Sequence, residues 1–243
     1  MPVATEIIPM NPPFFIALDM TDALKAAQLA LRLRGHAGGV KLGLEFFNAN
    51  GPSGVRQVIQ GGERLFLDLK LHDIPNTVAG AIRAVVPLSP YLVTVHASGG
   101  GAMMRAAAEA AGETATKLGQ SRPKIIGVTV LTSLADDDLQ ATGQRGPMLD
   151  QVRRLALLAQ DSGLDGVVCS PHEVAPLRAE CGQDFLLVVP GIRPSWAVAG
   201  DQKRVMTPGQ ALRAGASYLV IGRPITAAEN PADAARQVEA ELV

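Results

Sequence analysis

Short apolar runs recur along this chain, and most are followed by a longer stretch whose apolar positions return every three or four residues. The runs are FFIALD (14–19), GVKLG (39–43), RLFLDLKL (64–71), YLVTVHA (91–97), KIIGVTVL (124–131), DGVVCS (165–170), FLLVVPG (185–191) and SYLVIGR (217–223). Runs this short, rich in β-branched residues, read as strands; strands alternating with helical patterns read as βαβ units of a parallel sheet. The intervening TDALKAAQLALRL (21–33) predicts a helix capped by Thr21 or Asp22, and MLDQVRRLALLAQDSG (148–163) predicts one stopped by Gly163. Eight such units within 243 residues predict a single-domain (β/α)8 barrel over 1–243. A doubly wound open sheet is the alternative, but no G-x-G-x-x-G follows the first strand, and Asp19 stands where that loop would begin. ADDDLQATGQRGP (135–147) is the most polar connection. It reads as a solvated helix start, with a cover over a site as the second reading.

Composition narrows the partners. Lys plus Arg number 22 against 23 Asp plus Glu, so no net field draws the chain to nucleic acid or an anionic membrane. Any anion must be held by a local site. Cys169 and Cys181 have no metal-like spacing and form no disulfide framework. The first 24 residues contain no Lys or Arg and are cut by prolines, which argues against a secretory signal. No apolar stretch approaches the roughly 20 residues that span a bilayer. The expectation is a cytoplasmic protein.

Ionisable residues then gather where an α/β barrel does its chemistry, at the carboxyl ends of the strands. Asp19 ends the first run, Lys41 lies in the second, Asp68 and Lys70 in the third, and His96 ends the fourth. Thr132 and Ser133 follow the fifth; Arg193 and Arg223 follow the last two. Strand alternation puts Asp68 and Lys70 on the inward face, with Leu67, Leu69 and Leu71 turned to the helices. His72 is expected as a surface or interface residue, while His96 is expected to support its loop. One ion pair alone would read as self-balancing. Lys41, Asp68, Lys70 and Asp73 together resist that reading, because burying each charge costs several kcal/mol before pairing recovers it. VVPGIRP (188–194) and VIGRPIT (220–226) set Gly191 and Gly222 beside Arg193 and Arg223, a pairing suited to phosphate. Either alone would read as a surface turn.

DLKLHDIPNT (68–77), with ALD ending the first strand, VKLG in the second, VTVLTS (128–133), PGIRP and IGRPIT, resembles the orotidine 5′-phosphate decarboxylase family. The resemblance runs from residue 14 to about residue 226. It implies a cofactor-free and metal-free homodimeric barrel that converts orotidine 5′-monophosphate to uridine 5′-monophosphate, the last step of de novo pyrimidine synthesis. By position it makes Lys70 the proton donor, flanked by Asp68, with Lys41 and Asp73 completing an alternating array. Asp73 and Thr77 are expected to serve the partner's site. Asp19 and Lys41 are expected at the ribose, Thr132 and Ser133 at the pyrimidine, and Arg193, Gln202, Gly222 and Arg223 at the phosphate. Ile74 and Pro190 complete the expected contacts. Three other readings remain open: a magnesium-dependent sugar-phosphate decarboxylase of the same barrel group, an aldolase in which Lys70 forms a Schiff base, and a barrel that binds a nucleotide without turnover.

Overall fold

A computed structural model describes residues 12–197 and 206–242. Each apolar run contains a strand: β1 (Phe14–Ala17), β2 (Gly39–Gly43), β3 (Leu65–Leu71), β4 (Leu92–His96), β5 (Lys124–Val128), β6 (Gly166–Val168), β7 (Leu186–Val189) and β8 (Tyr218–Ile221). All neighbours pair in parallel, and β8 returns to β1, so the sheet closes into a barrel in sequence order. Closure excludes the open doubly wound sheet.

Several strands stop short of the polar residue that ends their run. β1 finishes at Ala17 and leaves Asp19 beyond the ladder, and β7 finishes before Pro190 and Gly191. Asp19, Pro190 and Gly191 therefore sit on the first residues of the βα connections, while Lys41, Asp68 and Lys70 stay within β2 and β3.

Alternation divides the strand residues between two cores. Outward residues such as Phe14, Ile16, Leu42, Leu65 and Leu67 pack under the helices. Inward residues Phe15, Phe66, Leu92, Ile126, Val188 and Val220 form a separate plug inside the barrel. At its amino-terminal end the rings of Phe15 and Tyr218 meet edge-on at 5.5 Å, and the Arg64 guanidinium lies 3.5 Å over the Tyr91 ring. The lower half of the barrel is thus a packed core, and only its upper end is open for chemistry.

Local signals account for the helix ends. Asp22, not Thr21, caps the helix Ala23–Arg32, accepting from the Lys25 N–H at 3.0 Å. The helix Met148–Asp161 ends just before Gly163, whose φ of 79° is the left-handed conformation that favours glycine. The polar connection 135–147 holds a helix start with exposed aspartates, as its sequence reads. It forms a short helix, Asp136–Ala141, in which Asp138 accepts from the Ala135 N–H at 2.8 Å and Asp136 from the Met148 N–H at 2.7 Å. Two of its three aspartates are spent on backbone donors, which fixes the loop.

β3 also departs from simple alternation. Its pairing with β4 runs Leu67↔Val93 and then Leu71↔Val95, so β3 takes four steps while β4 takes two. The surplus is absorbed at Lys70, whose φ of 48° is unusual for a residue with a side chain. Alternation holds through Leu69, and beyond the bulge it no longer assigns faces.

Candidate active site

The upper end of the barrel encloses a cavity of about 290 Å³. Its wall includes Asp19, Lys41, Asp68, Lys70, Thr132, Pro190, Arg193, Gly222 and Arg223, all singled out in the sequence. Charge alternates across its floor. Lys41 Nζ lies 3.3 Å from Asp19 Oδ1 and 3.4 Å from Asp68 Oδ2, and Lys70 Nζ donates to that same Asp68 oxygen at 2.8 Å. The side chains of Lys41 and Asp68 are almost wholly buried, at 11% and 12% exposed, while that of Lys70 keeps 29% of its surface open.

Burial alone would raise the proton affinity of Asp68. The Lys41 and Lys70 ammoniums, with hydrogen bonds from Lys70 and Thr94, overcome it and hold the carboxyl below its ordinary value of 3.8. Asp68 is therefore ionised at neutral pH. His96, half-buried at the end of β4, is held below 6.5 by burial and then by the charges of His72 and Lys70. Its ring lies 5.4 Å from that of His72, which is exposed.

Some expected residues lie apart from the cavity wall. Asp73, Ile74 and Thr77 are exposed on the connection after β3 and the start of the helix Pro75–Val85. Asp73 Oδ1 accepts from the Ile74 N–H at 2.6 Å, and among the described residues no ion pair joins it to Lys70. Ile74 is 67% exposed, high for so apolar a side chain. Ser133 is exposed next to Thr132 without lining the wall. Gln202 lies outside the described residues.

Sequence reasoning overlooked two contributions. Phe66, Val128, Val130, Leu131, Val188 and Val220 give the cavity an apolar side, and nothing in an apolar run marks which members face a ligand. Thr94 was the second, and it carried a signal: a hydroxyl inside the strand LVTVH, at an inward position that must find partners. Cys169 also reaches the wall, but burial, reinforced by the Glu173 carboxylate, pushes its thiol well above the ordinary range. Among the described residues no three His, Cys, Asp or Glu side chains converge as a metal site, and no helix is long and apolar enough to cross a membrane.

A closed parallel barrel with an alternating Lys/Asp floor and two arginines at its mouth defines a (β/α)8-barrel enzyme built to bind an anionic substrate and stabilise developing negative charge. Comparison with known proteins makes this specific. The profile of the orotidine 5′-phosphate decarboxylase / HUMPS family matches residues 12–238, and the chain belongs to that family. It is 60% identical over 232 residues to the orotidine 5′-phosphate decarboxylase of Rhodospirillum rubrum, covering 95% of this chain and 94% of that one. The Paramagnetospirillum magneticum protein of the same name is 58% identical over 230 residues, covering 95% and 98%. The crystal structure of orotidine 5′-phosphate decarboxylase from Lactobacillus acidophilus superposes with a TM-score of 0.85 at 40% identity, over 96% of this chain and 99% of that one.

Proposed function

We propose that the cavity floor carries out the reaction for which the family is named, removing CO₂ from orotidine 5′-monophosphate to give uridine 5′-monophosphate. The observation that carries this reading is the Lys41–Asp68–Lys70 cluster, with both ammoniums on one buried carboxylate oxygen in a cavity that Arg193 and Arg223 also line.

The chemistry follows from charge. When the bond between C6 and the carboxylate carbon breaks, its electron pair stays on C6 in the ring plane, where no carbonyl can delocalise it. Stabilisation must come from a fixed positive charge nearby. The Lys70 ammonium meets that charge and then transfers a proton to C6, after which the neutral amine regains a proton from solvent. Asp68 holds the ammonium: an ion pair near 4 Å contributes about 4 kcal/mol at an effective dielectric of 20. Its own negative charge also crowds the substrate carboxylate, which CO₂ release relieves.

The remaining roles belong to the same proposal. Asp19 and Lys41 hold the ribose, Thr132 and Ser133 border the pyrimidine, and Arg193, Gln202, Gly222 and Arg223, beside Pro190, hold the phosphate. Asp73, Ile74 and Thr77 act in the site of the partner in a cytoplasmic homodimer. A magnesium-dependent sugar-phosphate decarboxylase has less support, because both Asp68 oxygens are already engaged, Oδ1 by Thr94 and Oδ2 by the two lysines. The test is direct. Purified protein mixed with orotidine 5′-monophosphate should abolish the orotate absorbance and yield uridine 5′-monophosphate; an unchanged spectrum would overturn the reading.

A further inference from the structure

Thr94 sits in the middle of β4 with no exposed surface, one of few polar side chains buried in the barrel. Its Oγ1 accepts from the Lys70 backbone N–H at 2.9 Å and donates to Asp68 Oδ1 at 2.9 Å. We propose that Thr94 is a positioning residue for the decarboxylation: its hydroxyl locks the Lys70 backbone and the Asp68 carboxylate into the arrangement that aims the Lys70 ammonium at the substrate. The proposal rests on the decarboxylase reading above.

The need for such a residue lies in the bulge. Between Leu67↔Val93 and Leu71↔Val95 the β3–β4 register shifts, and Lys70 turns left-handed. A backbone N–H in that conformation points off the ladder and needs a partner from outside it. A threonine hydroxyl has one proton to give and lone pairs to receive. Here the lone pair goes to the bulge and the proton goes to the carboxylate. Spending the proton on Asp68 Oδ1 leaves Oδ2 to the two ammoniums. One side chain thus ties the strained backbone that carries the lysine to the carboxylate that orients it. Valine has nearly the same shape and can do neither.

Asp68 provides a readout that a purely structural threonine would not move. The charged and titratable groups facing it are Lys41 from β2, Lys70 on its own strand and His96 from β4, with Asp19 beyond β1 bridged to Lys41. The Thr94 hydrogen bond favours the ionised carboxylate, so its loss raises the pH at which Asp68 takes up a proton.

The experiment compares Thr94→Val, Thr94→Ala and Thr94→Ser with wild type by steady-state kinetics against pH and by carbon-13 NMR titration of the Asp68 carboxyl. Removing the hydroxyl should lower kcat roughly 100-fold, the cost of about 1 Å of misplacement, with KM changed far less because the phosphate contacts are remote. The acid limb of kcat/KM and the Asp68 titration should both move to higher pH. Thr94→Ser, which keeps the hydroxyl, should recover most of the rate. Alanine serves if the valine variant does not fold. If kcat stays within about twofold of wild type and the Asp68 titration is unmoved, Thr94 is only a packing residue. Wild-type protein inert toward orotidine 5′-monophosphate would overturn the decarboxylase reading, and the NMR titration would still decide whether Thr94 holds Asp68.

Discussion

Lys70 combines an ammonium on a carboxylate at 2.8 Å with a backbone φ of 48°. Truncating its side chain leaves the backbone conformation as costly as before, so Lys70→Ala should fold and still bind uridine 5′-monophosphate. Its turnover should fall by at least about 10³-fold, the combined loss of a general acid and a fixed charge. Calorimetric titration with the product and a single-turnover assay measure both, and activity within about tenfold of wild type would contradict the assigned role. His96 makes a prediction of another kind. Its folded form resists protonation because the ring is half-buried and faces His72 and Lys70. Below pH 6.5 the unfolded chain takes up that proton more readily than the folded one, so His96 lowers stability as pH falls from about 7 toward 5. The melting temperature should drop across that window, and His96→Gln should flatten the drop.

At the scale of elements, the connection after β5 shows how carboxylates that stay exposed to solvent also hold backbone donors. Asp136 accepts from the Met148 N–H, the first residue of the helix Met148–Asp161, and so ties the short helix Asp136–Ala141 to the next element. Leu131 and Thr132, at the start of this connection, line the cavity. Asp136→Ala should therefore cost about 1 kcal/mol of stability, read from denaturant midpoints. It should also raise KM for orotidine 5′-monophosphate more than it lowers kcat; unchanged kinetics would separate the loop from the site. The aspartates were legible as a helix start. The partner of Asp136 was not, because Met148 lies twelve residues away and only the folded loop brings them together.

For the whole molecule, the proposed division of each site between two subunits turns on Asp73. Asp73 and Ile74 stand exposed, Pro75 restricts Ile74 to extended backbone, observed with ψ near 153°, and among the described residues no ion pair joins Asp73 to Lys70. In the two-fold dimer proposed above, the same segment of each subunit is expected to reach the other's site. Lys70→Ala and Asp73→Asn subunits should each be nearly inactive alone, and mixing them should restore activity, because each mixed dimer then has one site with both defects and one with neither. Verified mixed dimers as inactive as their parents would show that Asp73 acts within its own chain. Extensive chelation should leave turnover unchanged, since the floor alternates ammoniums with carboxylates where a cation site would cluster acids; a loss restored by magnesium would favour the sugar-phosphate chemistry.

The chain by itself determined the eight strands, their order and the end of the barrel at which its charged residues gather, because period-two and period-three-to-four patterns are local properties of a sequence. It also marked Asp19, Lys41, Asp68, Lys70, Arg193 and Arg223, since so many charges gathered at the ends of apolar strands exceed what one self-balancing pair or a surface turn explains. Tertiary structure decided what alternation cannot express. The bulge at Lys70 depends on the register between β3 and β4, a relation between residues far apart in sequence. Thr94 gains its meaning from that register alone, because its hydroxyl is useful only where a displaced N–H and a carboxylate arrive together. The apolar side of the cavity likewise emerged only on closure, when the inward residues of different strands were brought to one wall.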